Sequence, residues 1–280
     1  MHYLSRQVEF EASHRYWNPA FSDEQNRRIF GKCTSLYGHG HNYVLRVTLK
    51  GRVDPRTGMV VNIKELDRAL KELAAEFDHK FINLDHPSFR DYIPTTENLV
   101  LYIRNDLEKK LQAENPRYQI SRVTLYEEPT LWAEVFAGAR TNMVTLTKSF
   151  SFSAAHRLHS TALSEEENRA VFGKCNNPHG HGHNYELEVT VQGAIAPKTG
   201  MIIDLVSLMQ IVQTEVIERF DHKHLNEDTE EFRNLNPTGE NIAKVIWDLL
   251  RLKLHSRLIK VGLWETPKNF FEYCGESSGE

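Results

Sequence analysis

The chain carries two copies of one pattern of histidine, cysteine and acidic residues, and this repetition limits most strongly what it can fold into. Four residues recur at a spacing of 142: His14, Cys33, His39 and His41 as His156, Cys175, His181 and His183. Two dipeptides that begin with an acidic residue recur at a spacing of 143: Asp78-His79 as Asp221-His222, and Glu97-Asn98 as Glu240-Asn241. Solenoid units run to roughly 20–50 residues. The longer period therefore predicts two tandem domains, residues 1–140 and 141–280.

The composition fits a globular protein with a core in each half. Hydrophobic residues make up 40%, and the net charge of −4 gives no reason to expect nucleic acid or an anionic membrane as a partner. No apolar run reaches the roughly 18 residues of a membrane span, and residues 1–7 lack the apolar centre of a signal peptide. Three cysteines, Cys33, Cys175 and Cys274, suggest no disulfide framework. We expect a soluble cytoplasmic protein without a membrane partner.

Each half predicts the order β-β-α-α-β-β. Apolar residues alternate along 41–50, which indicates a strand, and the turn at 54–58 predicts a return strand over 59–61 that closes an antiparallel hairpin. Asn62 predicts the start of a helix that runs to about residue 77. A second helix over 96–112 and strands over 119–126 and 131–136 complete the half.

The second half repeats this order. We predict strands over 147–155, 183–192, 202–203, 260–264 and 270–273, and helices over 205–220 and 238–254. Strands and helices are segregated along the chain, which favours an α+β fold with antiparallel sheet over a parallel one. The join between the halves lies near 138–142.

Three histidines in each half suggest a metal site. His39 and His41 are two positions apart on a strand, so both imidazoles point to the same face, and His14 ends a strand that can lie alongside. Three imidazoles with an open fourth position are the ligand set of a catalytic zinc. His156, His181 and His183 repeat it, whereas His179 has Tyr37 as its counterpart and is left out. Zinc is favoured because no carboxylate or thioether completes the set. Core or surface histidines are the alternative.

The cysteines and the Asp-His pairs suggest proton transfer. Lys32 and a nearby cation are expected to lower the pKa of Cys33 and favour its thiolate, which can act as a base. Asp78-His79 and Asp221-His222 follow a helix, and a carboxylate bonded to an imidazole raises its basicity. Because adjacent residues rarely bond each other well, we expect Asp and His to serve different partners. The alternatives are a buried apolar cysteine and a polar helix end.

Acidic residues in each half suggest recognition of a heterocycle. Glu127 and Glu265 each follow an aromatic residue at the end of an apolar strand, where a carboxylate can accept two N–H bonds from a guanidine-like ring. Glu97 and Glu240 stand at helix starts, where many carboxylates only complement the helix dipole.

Together these motifs resemble the 6-pyruvoyl-tetrahydropterin synthase family over nearly all of both halves. They are Gly-Lys-Cys, then after five residues His-Gly-His-Asn-Tyr, followed by Thr-Gly-Met, Asp-His-Lys, Thr-x-Glu-Asn and an aromatic-Glu pair. The resemblance implies two tandem T-fold (tunnelling fold) domains. It also implies sites shared across subunit interfaces and a homo-oligomer, such as a trimer of tandem chains that forms a pseudo-hexamer.

The resemblance also implies a reaction, the elimination of triphosphate from 7,8-dihydroneopterin triphosphate to give 6-pyruvoyl-tetrahydropterin. One Zn²⁺ per repeat, two per chain, would sit on the three histidines, with Cys33 and Cys175 as bases. Asp78, His79, Asp221 and His222 would relay protons. Glu127 and Glu265 would anchor the pterin, and five residues would lie near it: Thr95, Thr96, Glu97, Thr238 and Glu240.

Two alternatives stay open. The 6-carboxy-tetrahydropterin synthases of queuosine synthesis release acetaldehyde instead, although they usually have three residues between Cys and His where this chain has five. The other alternative is a pterin-binding protein with one or both sites inactive. The halves do differ: Gly239 stands where the first half has Thr96.

Overall fold

A computed structural model describes residues 1–114, 118–138 and 142–276, without the side chains of 112–114. The chain forms two compact units, each described by itself. The first unit is Met1–Thr147 with Gln192–Val206, and the second is Lys148–Val191 with Ser207–Glu280. The segment 192–206 belongs to the second repeat in sequence but folds with the first. Part of the predicted join, residues 139–141, lies outside the described residues.

The first unit packs helices on a largely antiparallel sheet of strand order β3-β1-β2-β4-β5. Its strands are β1 (His2–His14), β2 (His39–Gly51), β3 (Lys80–Phe81), β4 (Tyr118–Glu128) and β5 (Leu131–Phe136). Its helices are α1 (Asp23–Phe30), α2 (Ile63–Ala74), α3 (Ile82–Asp85) and α4 (Thr96–Glu114). The short β3 pairs in parallel with β1, and the other pairs are antiparallel.

Alternation along β2 explains how this sheet forms its core. Four residues two positions apart are fully buried: Tyr43, Leu45, Val47 and Leu49. Helix α2 buries one apolar face against β1 and α4, and the Asn62 side chain caps its start by accepting from the Lys64 N–H. Burying each of these large side chains contributes roughly 1.5–3 kcal/mol, so the alternation fixes which face of β2 turns inward.

The second unit repeats the arrangement with the strand order β10-β9-β7-β6, and β8 pairs with β6. Its strands are β6 (Met143–His156), β7 (His181–Ala194), β8 (Lys223–His224), β9 (Leu258–Thr266) and β10 (Asn269–Tyr273), although the ends of β6 and β7 at 143–147 and 192–194 belong to the first unit. Its helices are α5 (Glu165–Phe172), α6 (Leu205–Val212), α7 (Glu218–Phe220), α8 (Leu225–Asp228) and α9 (Gly239–Leu254). A π-helical turn, Gln213–Ile217, joins α6 to α7, so the predicted helix over 205–220 is continuous.

The predicted α+β class is confirmed, as are the long helices and strands. The predicted return strands over 59–61 and 202–203 are wrong. Asp54 and Met59 form only an isolated bridge, and Asn62 starts the next helix too soon for a ladder to grow. Gly58 has a φ of +70°, which closes this turn in a conformation that glycine adopts readily. No helix among the described residues is long and apolar enough to cross a bilayer.

Candidate metal centre and pterin site

The three predicted histidines of each half meet at one point of the sheet. In the first site, defined by His14, His39 and His41, β1 and β2 pair His14 directly with His39, and their Nε2 atoms lie 3.2 Å apart. The His41 ring is centred 5.0 Å from that of His14. The β1–β2 register therefore brings together residues that are 25 positions apart in sequence.

The second site is defined by His156, His181 and His183, and it has the same shape. The Nε2 atoms of His156 and His181 are 3.2 Å apart, and the His183 ring is centred 5.1 Å from that of His156. His179 is exposed outside this cluster. The ligand atoms within each set of histidines lie within 4.8 Å of one another.

Hydrogen bonds and burial favour the neutral form of His14 and His156 and turn the Nε2 atom of each ring toward the other histidines of its site. His14 Nδ1 donates to the Pro94 carbonyl at 3.0 Å, and His156 Nδ1 donates to the Pro237 carbonyl at 2.8 Å. Burial, reinforced by His41, lowers the pKa of His14 to about 3. Burial also lowers the pKa of His156 to about 4. Neutral imidazole with a free Nε2 is the form that binds metals.

The donor set fits a metal ion by a further observation. His41 Nε2 and His183 Nε2 are buried and find no hydrogen-bond partner among the described residues. A buried polar atom without a partner costs about 1–3 kcal/mol, which a bound cation would remove. Three imidazoles of this kind suit zinc with one position left open.

A carboxylate faces the histidines in each site, contrary to the expectation that none completes the set. Glu127 Oε1 lies 3.5 Å from His41 Nε2 and falls within the first group of possible metal ligands. Glu265 Oε1 lies 3.9 Å from His183 Nε2, and Glu265 is not part of the second group. Both carboxylates therefore belong to the sites, Glu127 more tightly than Glu265.

Cys33 lies beside the first site in a 3₁₀ turn, Gly31–Thr34. It is half-buried against a small cluster that contains Tyr16, Phe30 and Met201. Burial first, and then the charges of Glu127 and Glu128, raise the pKa of Cys33 to about 12. The expected lowering by Lys32 is not found, because Lys32 is exposed. Cys175 occupies the equivalent turn, Gly173–Asn176, in the second unit.

The adjacent residues Asp78 and His79 do bond each other, contrary to expectation. His79 Nδ1 lies 3.0 Å from Asp78 Oδ2, and His79 has a φ of +56°, which turns the ring back toward its neighbour. The Asp78 side chain accepts from the Glu11 N–H, and the His79 N–H donates to the Glu11 carbonyl. The hydrogen bond to Asp78 raises the pKa of His79.

Asp221 and His222 repeat this geometry with 2.9 Å between the same atoms and a φ of +58° at His222. Here the backbone partner is Ser153, which occupies the place of Glu11. In each unit the strand backbone, at Glu11 in β1 or at Ser153 in β6, holds the Asp-His pair in place. The geometry of the pair therefore does not depend on which side chain stands at that strand position.

The structure does not bring His79 to Cys33 within the first unit. His79 Nε2 lies 3.6 Å from Glu11 Oε2, and Glu11 alternates along β1 with Ala12 and His14, which face the core. His79 therefore lies on the outer face of β1, with a 75% exposed side chain, whereas the three histidines lie on the inner face.

The predicted pterin-contacting residues of the first site are buried in a hydrogen-bond network. The Thr96 hydroxyl donates to Glu127 Oε2 at 2.5 Å, and the Thr95 hydroxyl donates to the Gly200 carbonyl at 2.6 Å. Glu97 accepts from the Ile202 N–H at 3.1 Å, and burial raises its pKa to about 7. Thr95 and Glu97 therefore hold the 196–202 turn over the first site.

The predicted residues of the second site are placed differently. The Thr238 side chain caps α9 by accepting from the Asn241 N–H at 3.4 Å, and Glu240 is exposed. Glu265 accepts instead from Asn269 Nδ2 at 3.1 Å.

Three tyrosines of the sites were not predicted from the sequence. The Tyr16 hydroxyl donates to Glu127 Oε2 at 2.9 Å. The hydroxyls of Tyr43 and Tyr185 lie 3.0 Å and 3.4 Å from Nδ1 of His14 and His156. The tyrosine of His-Asn-Tyr recurs in both halves, which was a usable signal. Tyr16 has Leu158 as its counterpart, so a search for recurring residues passes over it.

This α+β scaffold places three histidines in each unit where they could hold a metal ion, with the ligand set that catalytic zinc sites use. A profile described as "6-pyruvoyl tetrahydropterin synthase" matches residues 3–137 and again 145–276. The chain belongs to this family, with two copies of the family domain in tandem, and it is a family enzyme.

Several related proteins each match about half of the chain, which is the length of one copy of the family domain. The chain is 50% identical over 132 residues to the 6-pyruvoyl tetrahydrobiopterin synthase of Drosophila melanogaster, covering 46% of this chain and 79% of that protein. It is 30% identical over 151 residues to the 6-carboxy-5,6,7,8-tetrahydropterin synthase of Haemophilus influenzae, covering 47% and 99%. The solved 6-pyruvoyl tetrahydropterin synthase of Caenorhabditis elegans is 44% identical and covers 48% of this chain and 96% of that one, with a TM-score of 0.47.

Proposed function

We propose that the chain converts 7,8-dihydroneopterin triphosphate to 6-pyruvoyl-tetrahydropterin with release of triphosphate, as a zinc-dependent lyase. The observation that carries this proposal is the duplicated set of three imidazoles, which faces a carboxylate with a cysteine turn beside it. The relative named for this product is 50% identical, against 30% for the relative named for the 6-carboxy product.

The residues divide the work between binding and proton transfer. His14, His39 and His41, with their counterparts in the second site, hold the ion. When bound, zinc supplies Lewis acidity toward the substrate side chain and positive charge that lowers the pKa of a nearby thiol. Glu127 and Glu265 are the carboxylates that match the amidine-like edge of the pterin ring, as acceptors for its N–H groups where their oxygens are free.

Cys33 and Cys175 act as bases toward the substrate side chain. The surroundings of Cys33 within the chain favour the neutral thiol, because burial and two carboxylates raise its pKa to about 12. A thiolate there needs a nearby cation, so we expect its reactivity to depend on the loaded site. A thiol used as a base also suits a reducing compartment such as the cytoplasm.

Asp78-His79 and Asp221-His222 act as proton relays, and Asp78-His79 serves a site outside its own unit. His79 lies on the outer face of β1, where it cannot serve the first site of its own unit. A homo-oligomer, such as a trimer of tandem chains, would bring it to a cysteine of another copy.

The exposed turn of the first repeat supports the same assembly. Met201 of the 196–202 turn is 5% exposed over the first site, whereas its counterpart Met59 is 42% exposed. The turn that holds Met59 is therefore available to cover the second site of a neighbouring copy, which buries apolar surface as Met201 does in the first unit.

The direct test is incubation of the purified, zinc-loaded protein with 7,8-dihydroneopterin triphosphate and identification of the product by mass. We expect the 6-pyruvoyl product and free triphosphate. The 6-carboxy product with acetaldehyde would move the chain to the other branch. Pterin binding without turnover would make it a binding protein.

Removal of the metal tests the zinc requirement separately. Chelator-treated protein should lose turnover and regain it with Zn²⁺, because no other Lewis acid is expected at the substrate hydroxyls. Full turnover by protein shown to contain no metal would refute the zinc role while leaving the product assignment intact.

A further inference from the structure

The two sites differ at the carboxylate that faces the histidines. In the first site, Glu127 Oε2 accepts from the Tyr16 hydroxyl at 2.9 Å and from the Thr96 hydroxyl at 2.5 Å. The Tyr16 oxygen in turn accepts from the Thr96 N–H at 3.2 Å. All three side chains are buried. A carboxylate oxygen offers about two acceptor positions, so both positions of Oε2 are in use.

The second site has no hydroxyl at either of these positions. Leu158 replaces Tyr16 and Gly239 replaces Thr96, and Glu265 Oε2 accepts only from the exposed Asn269 side chain among the described residues. The backbone is the same: the N–H of Leu158 donates to the Cys175 carbonyl at 2.9 Å. That of Tyr16 donates to the Cys33 carbonyl at 2.9 Å as well. The difference therefore comes from the side chains alone.

A third exchange prevents a threonine hydroxyl from standing at position 239. A Cβ atom added to Gly239 would lie 2.2 Å from Cε2 of Phe271, which leaves no room for threonine. Ala133 holds the position of Phe271 in the first unit, since Leu125 pairs with Ala133 as Leu263 pairs with Phe271. The first unit combines the larger Thr96 with the smaller Ala133, and the second combines the smaller Gly239 with the larger Phe271. The two positions therefore change together, and each unit fills the space between them.

The ring of Tyr16 is held in place on several sides. It lies 4.8 Å from the His14 ring and 6.1 Å from the Phe30 ring, centre to centre. Met201 packs against the same cluster, and the turn that carries it is fixed by Thr95 and Glu97. Swinging Tyr16 away would break its bond to Glu127 and disturb this packing.

We propose that Tyr16 keeps the first site closed to a pterin ring, so that the chain binds and turns over its pterin in the second site alone. This inference rests on the proposed function and narrows it. A ring that offers two N–H donors needs an acceptor position on each carboxylate oxygen, and Tyr16 and Thr96 occupy those of Glu127 Oε2. Tyr16 is thus a specificity-determining residue that separates the two sites.

Exchange of the two residues tests the inference, because each repeat supplies the matched control for the other. Zinc-loaded full-length protein is titrated with neopterin, an oxidised pterin that cannot react, and the sites per chain are counted by calorimetry. We expect one site in the wild type, two in Tyr16→Leu, and one in the double exchange Tyr16→Leu/Leu158→Tyr. For Leu158→Tyr we expect neopterin affinity at the second site to fall by at least about tenfold, or about 1.4 kcal/mol. Zinc content should stay at two per chain throughout, which shows that each variant folds around its metal sites.

Turnover gives a second readout. Leu158→Tyr should lower kcat/KM for 7,8-dihydroneopterin triphosphate by at least about 100-fold, or about 2.7 kcal/mol. Two equal neopterin sites in the wild type, or full turnover by Leu158→Tyr, would overturn the inference and leave the proposed function standing. Absence of both pterin binding and turnover in the zinc-loaded wild type would refute the proposed function itself, and the inference with it.

Discussion

The contact between Gly239 and Phe271 leads to a double-mutant prediction with a defined size. A Cβ at position 239 would approach three atoms of the Phe271 ring at 2.2, 2.3 and 2.5 Å, about 1 Å or more inside the roughly 3.5–4.0 Å of normal carbon contact. Gly239→Thr should therefore destabilise the second unit by about 1–3 kcal/mol, the usual cost of overpacking. Gly239 has no positive φ, so no backbone strain adds to this value.

Phe271→Ala should relieve that cost. Alone it should destabilise by less than the roughly 3–5 kcal/mol of a fully buried phenylalanine, because Phe271 is only half-buried. The double variant Gly239→Thr/Phe271→Ala recreates the Thr96 and Ala133 pair of the first unit. Its cost should be smaller than the sum of the single costs, by about 1–3 kcal/mol.

Urea unfolding monitored by fluorescence and by circular dichroism measures the four corners of this cycle. The chain forms two compact units, so a separate transition of the second unit must be resolved from that of the first. Strictly additive costs, or a Gly239→Thr variant as stable as the wild type, would show that the ring moves aside freely and that the two positions are not coupled.

Three further predictions concern charge and catalysis. Burial raises the pKa of Glu97 from 4.5 to about 7, so its contribution to stability is fully present below pH 4.5 and is lost as the pH rises through 7. The unfolding free energy of the wild type relative to Glu97→Gln should therefore fall by up to about 3 kcal/mol over that range. An unchanged difference would contradict the burial argument. Cys175→Ala should lower turnover by at least about 100-fold with zinc retained, whereas Cys274→Ala, at an exposed thiol, serves as the matched control; equal activity of the two would exclude Cys175 as the base. Glu265→Gln should raise the KM for the pterin by at least about tenfold, since one acceptor oxygen becomes a donor, and an unchanged KM would remove Glu265 from the pterin site.

Local patterns predicted most of the fold because the relevant forces act locally. Strict alternation over 41–50 predicted β2, and an Asn cap before an apolar helical face predicted α2; both are confirmed. The hairpin over 54–61 failed because three apolar residues carry too little pattern to separate a short strand from an irregular turn. The π-helical turn at 213–217 changes no apolar face and leaves no signal in the composition.

The histidine clusters were predictable for a similar reason, since a spacing of two on a strand fixes a shared face. The bond within the Asp78-His79 pair was not, because it depends on the positive φ of His79, which the Glu11 backbone enforces from a distant strand. The raised pKa of Cys33 was missed because burial outweighs an adjacent lysine that points to solvent.

The sequence by itself determined the duplication, the α+β class and the chemical content of each site, because these depend on residue types and short spacings. Only the tertiary structure decided which polar groups of the sites are already hydrogen-bonded to other parts of the chain. The hydroxyl of Tyr16 reaches a carboxylate 111 positions away, and the 196–202 turn of the second repeat closes over the first site. Such contacts follow from strand register and from how a whole unit packs. For a residue that differs between the two repeats, comparison of the repeats gives no indication that it makes such a contact.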